Sequence, residues 1–283
     1  MLHDLQFAVC PFAYVGMSLA LTECRLMQIS TLRQNLLLNA LPDSSLETLA
    51  AHFKVFEAPI GKRIFEQDTR TAVYFPLTAV ISLIRNLADG EALEVSMIGG
   101  EGVVGINAIL GVDTNPVEGL TQGAGLVASI GGNELRRQME HDAELRRILH
   151  AFVYTMIAHI AQLACCNRLH VVEQRLAHWL LLLQDRYGSD EMSLLLLQDR
   201  YGSDEMSLTQ EFLGRMLSTR RAGINAAMKA LELAGTIEHG RGRVRVTDRV
   251  KLEQASCECY RAMFDEYERA LGFPPLVAIA SAP

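Results

Sequence analysis

The side chains best suited to binding a ligand are concentrated between Thr209 and Asp248, and most of them are cationic or carry amides. The segment reads TQEFLGRMLSTRRAGINAAMKALELAGTIEHGRGRVRVTD. From Leu208 to Lys251, nine Lys and Arg residues stand against four acids, a net charge of +5, whereas the remainder of the chain carries −12. Such an asymmetry is expected where one segment of an acidic protein meets phosphate groups. A solvated basic face is the alternative interpretation of the charge alone.

Two short helices and a hairpin are predicted to position these groups. Thr209 begins the first helix, and Ser218 with Thr219 is expected to cap the second. The apolar residues of the second helix recur at helical spacing and should point inward: Ile224, Ala227, Met228 and Leu231. Gly235 is expected to end this helix. Thr236–His239 and Arg243–Thr247, joined by Gly240-Arg241-Gly242, then form a predicted β-hairpin.

The outer face of the second helix has the properties of a DNA recognition helix. Arg220, Arg221, Asn225 and Lys229 fall on this face, mostly near the helix N-terminus, where polar side chains can reach base edges. Arg221 is the predicted guanine contact and Asn225 a predicted adenine contact. The predicted DNA-binding set is Thr209, Ser218, Thr219, Arg220, Arg221, Asn225, Lys229, Arg241 and Arg243. The alternative is a structural helix pair with incidental arginines.

The N-terminal half has the pattern of an antiparallel β-structure. Short β-rich runs alternate with glycine-containing turns: Lys54–Glu57, Arg63–Glu66, Val73–Asn86, Ala92–Ile98 and Leu120–Ile130. Five or more short strands at this spacing predict a barrel or roll. The fold class is therefore α+β, with an N-terminal antiparallel β-roll, a long helix and a C-terminal winged helix-turn-helix.

A long helix is predicted after Asn133. Apolar or small residues recur in steps of four and three: Leu145, Leu149, Phe152, Met156, His159, Leu163, Cys166 and His170. A seam with this spacing is typical of a helix that pairs with its twin, so we expect a homodimer. The core helix of a monomer is the alternative. His159 and His170 on this seam could also form a pH-sensitive pair, although interface histidines with satisfied hydrogen bonds are commoner.

The chain contains a perfect tandem repeat. Leu180–Ser193 and Leu194–Ser207 both read LLLLQDRYGSDEMS. Identity without drift indicates a recent duplication or an assembly error rather than a solenoid, which needs at least three units. Only one copy should occupy the ancestral place, and we expect residues from about Tyr187 to Arg200 to be an extruded insertion.

The six cysteines indicate a reducing compartment, so the protein is expected to be cytoplasmic. No pair has the sequence spacing of a zinc site, and the prediction is that the chain binds no metal and no cofactor. Phe7–Leu21 is too short and interrupted for a comfortable membrane span, and it lacks the basic start of a signal peptide. One hypothesis is that translation begins at Met17 or Met27.

The sequence resembles the Crp/Fnr family, the cAMP-receptor-type regulators of bacteria, from about Asn35 to Asp248. The motifs that carry the resemblance are NLLLNALP, VYFPLTAVISLI, DGEALEVSMIGGEGVVG, VVEQRLAHWLL and the winged helix. The resemblance implies a cyclic-nucleotide-binding-like sensor roll and paired winged helices that read a palindromic operator. It divides the chain into an extension (1–34), the roll (35–135), a dimerisation helix (136–170), the DNA-binding domain (171–250, with the duplicated insert within 180–207) and a C-terminal helix and tail (251–283).

Two departures from the family pattern limit what the resemblance implies. Relatives read DNA through an Arg-Glu-x-x-x-Arg pattern, whereas here Arg221 is followed by Ala222, and Ala226 replaces the second arginine. In the sensor, Gly100, Glu101 and Gly102 match the ribose-binding turn. No Lys or Arg occurs from residue 86 to 135 to neutralise a cyclic phosphate. We therefore expect no cAMP binding of the usual kind.

The remaining alternatives differ in what the roll does. Fnr-type iron–sulfur chemistry lacks clustered cysteines, and haem ligation lacks histidines in the roll. A cupin-like β-barrel metalloenzyme would need histidines on the strands, so the chain is predicted not to be an enzyme. The open alternatives are an unidentified small-molecule effector and a protein partner. Double-stranded DNA is the expected partner, with RNA polymerase added for an activator, and no membrane.

Overall fold

The computed structural model describes residues 27–69, 72–88, 90, 92–187, 191–193, 213–214, 216–217, 219–240 and 243–275. Several sequence predictions lie outside these residues. They concern Phe7–Leu21, the start at Met17, the second repeat copy Leu194–Ser207, and the site residues Thr209, Ser218 and Arg241.

Helices and strands follow one another in the order expected for a roll, a long helix and a winged domain. The strands are β1 (Lys54–Ala58), β2 (Arg63–Phe65), β3 (Ala72–Pro76), β4 (Val80–Asn86), β5 (Ala92–Ile98), β6 (Glu118–Gly123), β7 (Gly125–Gly131), β8 (Glu191–Ser193), β9 (Ile237–Gly240) and β10 (Arg243–Val246). The helices up to the long one are α1 (residues 27–32), α2 (Leu36–Asn39), α3 (Asp43–Ala50), α4 (Ile106–Ile109), α5 (Gly132–His141) and α6 (Ala143–Leu169). The later helices are α7 (Val172–Tyr187), α8 (described at residues 213, 214 and 216), α9 (Arg221–Leu233), α10 (Arg249–Ala255) and α11 (Cys259–Leu271).

Two antiparallel sheets form the roll, which confirms the predicted α+β fold class. Their strand orders are β1-β7-β3 and β2-β6-β4-β5. The predicted strand Val73–Asn86 is two strands, because the chain bends at Leu77, where three successive N–H groups lie against the Leu126 carbonyl. At the facing position Gly125, a Cβ atom would lie 2.5 Å from the Thr78 hydroxyl oxygen. The predicted strand Leu120–Ile130 is divided at the same place.

A buried asparagine joins the entry helices to the roll. The side-chain oxygen of Asn35 accepts hydrogen bonds from two N–H groups of α2. Its Nδ2 donates to the carbonyls of Pro76 and Gly102 at 2.9 and 2.8 Å. Leu32 in α1 is fully buried in the same core, so the packed region begins before residue 35.

The long helix α6 buries the predicted heptad seam inside its own chain. Leu145, Phe152 and Met156 on this seam are each less than 5 % exposed, because they pack against the roll and α11. The prediction that this face pairs with a second subunit is therefore wrong, since the same periodicity arises for a helix packed on its own core. By length and composition α6 could also cross a membrane, but core helices meet the same criterion.

The first repeat copy is part of the packed structure. Asp185 accepts from the Tyr260 hydroxyl and pairs with Arg249, and residues 191–193 form strand β8, antiparallel to β10. The prediction that residues 187–200 are extruded is wrong for 191–193. Backbone pairing with β10 holds Glu191–Ser193 of the first copy in the sheet, whereas the prediction had extruded this segment.

A buried glutamate–tryptophan contact joins α7 to the roll. Trp179, the only tryptophan of the chain, donates its indole N–H to Glu94 of β5 at 3.0 Å. Burial raises the pKa of Glu94 to about 7, although hydrogen bonds from Ser82 and Trp179 oppose the shift. Glu94 therefore takes up a proton on folding between its ordinary pKa and about 7.

We expect the Glu94→Gln variant to be less sensitive to alkaline pH than the parent protein. A raised folded-state pKa contributes stability that is present below pH 4.5 and lost as pH rises through about 7. From pH 5 to pH 8 the parent should lose roughly 2 kcal/mol of unfolding free energy relative to the variant. Urea unfolding followed by Trp179 fluorescence measures this, with exposed Glu57→Gln as the control. Parallel pH profiles for parent and Glu94→Gln would contradict the prediction.

Candidate nucleic-acid interface

A tight turn brings α8 against the start of α9. The N–H of Thr219 donates to the Gly214 carbonyl at 2.8 Å, and a Cβ on Gly214 would lie 2.8 Å from the Thr219 carbonyl oxygen. A Cβ on Gly223 would lie 2.9 Å from the Thr219 hydroxyl oxygen. These two glycines let the helices approach closely enough for a helix-turn-helix.

The second helix of this pair has the predicted inward face but a different cap. Its buried residues are Ile224, Ala227, Met228 and Leu231, as predicted. Its N-cap residue is Arg220, which makes no side-chain capping bond, so the prediction of a cap is wrong for Thr219, whereas Ser218 lies outside the described residues. The approach to Gly214 and Gly223 places Thr219 in the turn, one residue too early to cap.

The predicted polar face of α9 is exposed in the structure. The exposed members of the predicted set are Arg220, Arg221, Asn225, Lys229 and, on the wing, Arg243. Thr219 is half-buried in the turn. The first turn of α9 contains no acidic residue, so the positive end of the helix dipole and the two arginines act in the same direction.

A three-stranded wing follows α9, in the order β8-β10-β9. Gly235, with a φ of 70°, ends α9 as predicted. Val244 and Val246 are buried against the helices, which leaves Arg243 and Arg245 on the opposite side of β10. Arg245 pairs with Glu238 directly across the hairpin at 2.7 Å, so it is partly neutralised.

One arginine counted in the basic segment supports the fold. Arg249 pairs with Asp185 at 2.7 Å and bonds to Gln184 and Tyr260 at 2.9 and 2.7 Å. Gln184 and Asp185 belong to the first repeat copy. The cationic surface is consequently smaller than the charge count suggests, and it is centred on the start of α9.

The predicted ligand turn in the roll is used for contacts within the chain. Glu101 is 4 % exposed and accepts hydrogen bonds from its own turn at Gly99 and from Arg186 of α7. The Arg186 NH2 lies 2.7 Å from Glu101 Oε1. Arg186 thus supplies the guanidinium that the roll sequence lacks, and it binds the carboxylate rather than leaving it for a ribose. Sequence reasoning missed this pair because its members are 85 residues apart.

The turn is closed further by α6 and α11. At Gly102 an added Cβ would lie 2.5 Å from the Phe152 ring, and Tyr267 donates its hydroxyl to the Glu101 carbonyl. The cleft that remains beside Glu101 is small, with a volume of about 50 Å³. Its lining includes Ser96, Met97, Phe152, His159, Arg186 and Tyr267. A ligand here would meet a mainly apolar wall with one ion pair at its edge.

The suggested pH-sensitive histidine pair finds no support at His159. Burial lowers the pKa of His159 to about 3, and the charges of Arg186 and His178 act in the same direction. The imidazole therefore stays neutral at physiological pH. His170 is the C-cap residue of α6, eleven residues further along the chain, and its ring lies 3.2 Å from Glu258.

Four potential metal ligands that the sequence spacing did not indicate lie together in space. The ligand atoms of Cys166, His170, Cys257 and Cys259 are all within 4.8 Å of one another. The prediction of no metal site rested on spacing along the chain, whereas helix α6 and the C-terminal segment each contribute two of these residues. This cluster is not on the described strands of the roll, where a cupin-like enzyme would hold its metal.

Comparison with known proteins places this architecture. The sequence model of the Crp-like helix-turn-helix domain matches residues 174–255. FixK2 from Bradyrhizobium japonicum is similar at 16 % identity and a TM-score of 0.58, over 72 % of this chain and 98 % of that one. A Crp/Fnr regulator from Eubacterium rectale is similar at 13 % identity and a TM-score of 0.59, over 77 % of this chain and 96 % of the other.

A further structural relative is the c-di-GMP-responsive regulator CLP from Xanthomonas campestris. The identity is 15 % and the TM-score 0.52, over 72 % of this chain and 99 % of that one. A search of curated proteins found no match. Identities this low establish a shared fold, and the domain match identifies residues 174–255 as a Crp-like helix-turn-helix domain.

Replacing Arg186 by Met should strongly destabilise the protein. The change leaves the Glu101 carboxylate buried without its cation, which typically costs about 3–5 kcal/mol. The double variant Glu101→Gln, Arg186→Met removes both charges and should recover much of the loss. Urea unfolding of both variants tests the pair, with Arg137→Met at an exposed ion pair as the control. A loss below 1 kcal/mol for Arg186→Met would show that the pair is not a structural link.

Proposed function

We propose that this chain, which has a Crp-like helix-turn-helix domain and the fold of solved Crp/Fnr regulators, is a regulator of that type and controls transcription by binding a palindromic operator as a homodimer. The observation that carries the proposal is the exposed polar start of α9. The turn at Gly214 and Gly223 packs α9 against α8, and the wing follows α9. Such a helix can enter the major groove with its N-terminal residues toward the bases.

The residues of α9 divide into those that read bases and those that contact phosphates. Arg221 is the candidate for a bidentate contact to guanine, and Asn225, one turn further, for a contact to adenine. Arg220 and Lys229 flank them and suit phosphate oxygens. Arg241 and Arg243 belong to the sequence of the wing hairpin, and we assign them to phosphates of the adjacent DNA backbone. Thr209 and Ser218 belong to the same proposed interface.

The proposed dimer uses the face of α6 that the chain leaves exposed. Tyr154, Ile157, Ile160 and Leu169 are between 41 and 72 % exposed, and Ala161, Ala164 and Cys165 are exposed between them. Tyr154, Ile157, Ala161 and Ala164 follow the three-and-four spacing of a paired helix. Pairing through this face would present two α9 helices to half-sites about one DNA turn apart.

The roll is proposed to sense something other than cAMP bound in the usual way. Glu101 already pairs with Arg186, and the roll segment from 86 to 135 contains no cation for a cyclic phosphate. One structural relative responds to c-di-GMP, so other effectors occur on this fold. An unidentified small molecule in the cleft beside Glu101, or a protein partner on the roll, would fill this role. Thermal shift in the presence of nucleotides and metabolites discriminates them.

A regulator of this type acts in the cytoplasm, and no catalytic residues are assigned to the chain. An activator would contact RNA polymerase as well. The experiment that tests the core proposal is selection of DNA sequences by the purified protein from a random pool at low salt. We expect a palindromic consensus with two equal half-sites. Failure to enrich or shift any DNA would refute the proposal.

Arg221→Lys should remove base preference while keeping most of the electrostatic binding. Lysine preserves the charge but cannot make the bidentate contact, so the Kd for the selected operator should rise roughly 10- to 100-fold. The Kd for unrelated DNA should change little. Fluorescence anisotropy with both DNAs measures this, with Arg269→Lys on α11 as the matched control. An unchanged operator Kd would show that Arg221 does not read a base.

Ile157→Glu should convert the proposed dimer to a monomer. Ile157 is 60 % exposed, and a carboxylate placed there would be buried opposite its own copy in the dimer. Sedimentation velocity at micromolar protein measures the change. Leu233→Glu is the control, because Leu233 is 79 % exposed at the far end of α9. A dimeric Ile157→Glu variant would place the interface elsewhere.

A further inference from the structure

Two pairs of metal-ligating side chains meet where the C-terminal segment crosses α6. Cys166 lies in the last turn of α6, and His170 is the C-cap residue of this helix, whose backbone N–H donates to the Cys166 carbonyl at 3.1 Å. Cys257 and Cys259 flank the start of α11. The three sulfur atoms and the imidazole nitrogen all lie within 4.8 Å of one another.

Two of the distances within this cluster match the edges of a small tetrahedron. Cys166 Sγ lies 3.5 Å from Cys257 Sγ, and Cys259 Sγ lies 3.5 Å from His170 Nδ1. Zn–S bonds of about 2.3 Å and Zn–N bonds of about 2.0 Å give tetrahedral edges of roughly 3.5–3.8 Å. The sulfur separation is far longer than the disulfide bond length of about 2.05 Å.

We propose that Cys166, His170, Cys257 and Cys259 bind one Zn²⁺ ion in a structural site. Three cysteines and one histidine form a ligand set that zinc uses in closed structural sites, with no position left for water or substrate. The cysteines are 1, 3 and 0 % exposed, so the site is shielded from solvent. Binding releases three protons, one from each thiol, and the neutral imidazole donates a lone pair.

The surrounding polar groups are arranged for these ligands. His170 Nε2 lies 3.2 Å from the Glu258 carboxylate, an arrangement that holds the proton on Nε2 and leaves Nδ1 facing the sulfurs. A carboxylate behind a metal-binding histidine commonly orients it in this way. Gln162 donates to Cys259 Sγ at 3.1 Å.

A second histidine lies behind the sulfurs. His178 Nδ1 is 3.8 Å from Cys257 Sγ and 4.0 Å from Cys166 Sγ. In the Nδ1–H form its ring, like the Gln162 amide, offsets the negative charge that three thiolates leave on the site. The zinc site would fasten the C-terminal segment to α6, and α11 carries Tyr267, which closes the turn at Glu101.

Metal analysis of the full-length protein tests the proposal. Protein dialysed with excess zinc under mild reductant, and then freed of unbound metal, should retain one zinc per chain. Cys166→Ser and Cys259→Ser should each lose most of this zinc. Cys165→Ser is the matched control, because Cys165 is adjacent but exposed and should leave the zinc content unchanged. Equal zinc loss in Cys165→Ser, or zinc retained in both ligand variants, would overturn the assignment.

Cobalt binding to the parent protein gives an answer that does not depend on how the variants fold. Metal-free protein should take up one Co²⁺ per chain and show the intense visible bands of a tetrahedral site with sulfur-to-cobalt charge transfer. Glu258→Gln should bind cobalt about 10-fold more weakly. Parent protein that binds neither metal stoichiometrically would overturn the proposal. Metal-free protein with a Cys166–Cys257 disulfide, which is two hydrogens lighter by mass spectrometry, would also overturn it. So would protein that contains iron together with inorganic sulfide.

Discussion

The buried ion pair between Glu101 and Arg186 is the contact on which the arrangement of the two halves depends. Both side chains are about 5 % exposed. Removing two charges from water costs several kcal/mol each, and only good geometry with further hydrogen bonds compensates for it. Arg186 provides that geometry, because its Nε and Nη2 atoms lie 2.9 and 2.7 Å from Glu101 Oε1. A shift of α7 along its axis would leave a buried charge unpaired, so the pair specifies how α7 docks on the roll.

This ion pair joins the turn at Glu101 directly to α7, which lies mostly within the helix-turn-helix domain. Glu101 belongs to the turn after β5, and Arg186 lies in the last turn of α7, five residues before β8 of the wing. Trp179, two turns earlier in α7, contacts Glu94 on the same sheet. The first copy of the repeat supplies Arg186 and strand β8.

Local sequence patterns predicted most helices and strands, but they did not predict contacts between segments that are far apart in the sequence. The α9 inward face and the Gly235 terminus follow from helical spacing and glycine conformation, both local properties. The apolar spacing of the α6 seam was recognised, but the seam was assigned to the wrong neighbour. The spacing of Phe152 and Met156 would be the same for a helix packed on a partner subunit and for one packed on the roll. Arg186 and the cysteine cluster were missed for a related reason. Their partners are about 85 to 91 residues away along the chain, and one sequence contains no signal for such pairs.

The alanines of α9 bear on what the proposed recognition helix can read. Ala222 and Ala226 are exposed where the family pattern has an acid and an arginine. An acid beside Arg221 would accept a hydrogen bond from a cytosine amino group and could also pair with the arginine. Methyl groups at these positions can contact thymine but cannot reject other bases strongly. The operator should therefore have few highly preferred positions per half-site, which makes binding by two subunits together the main source of its selectivity.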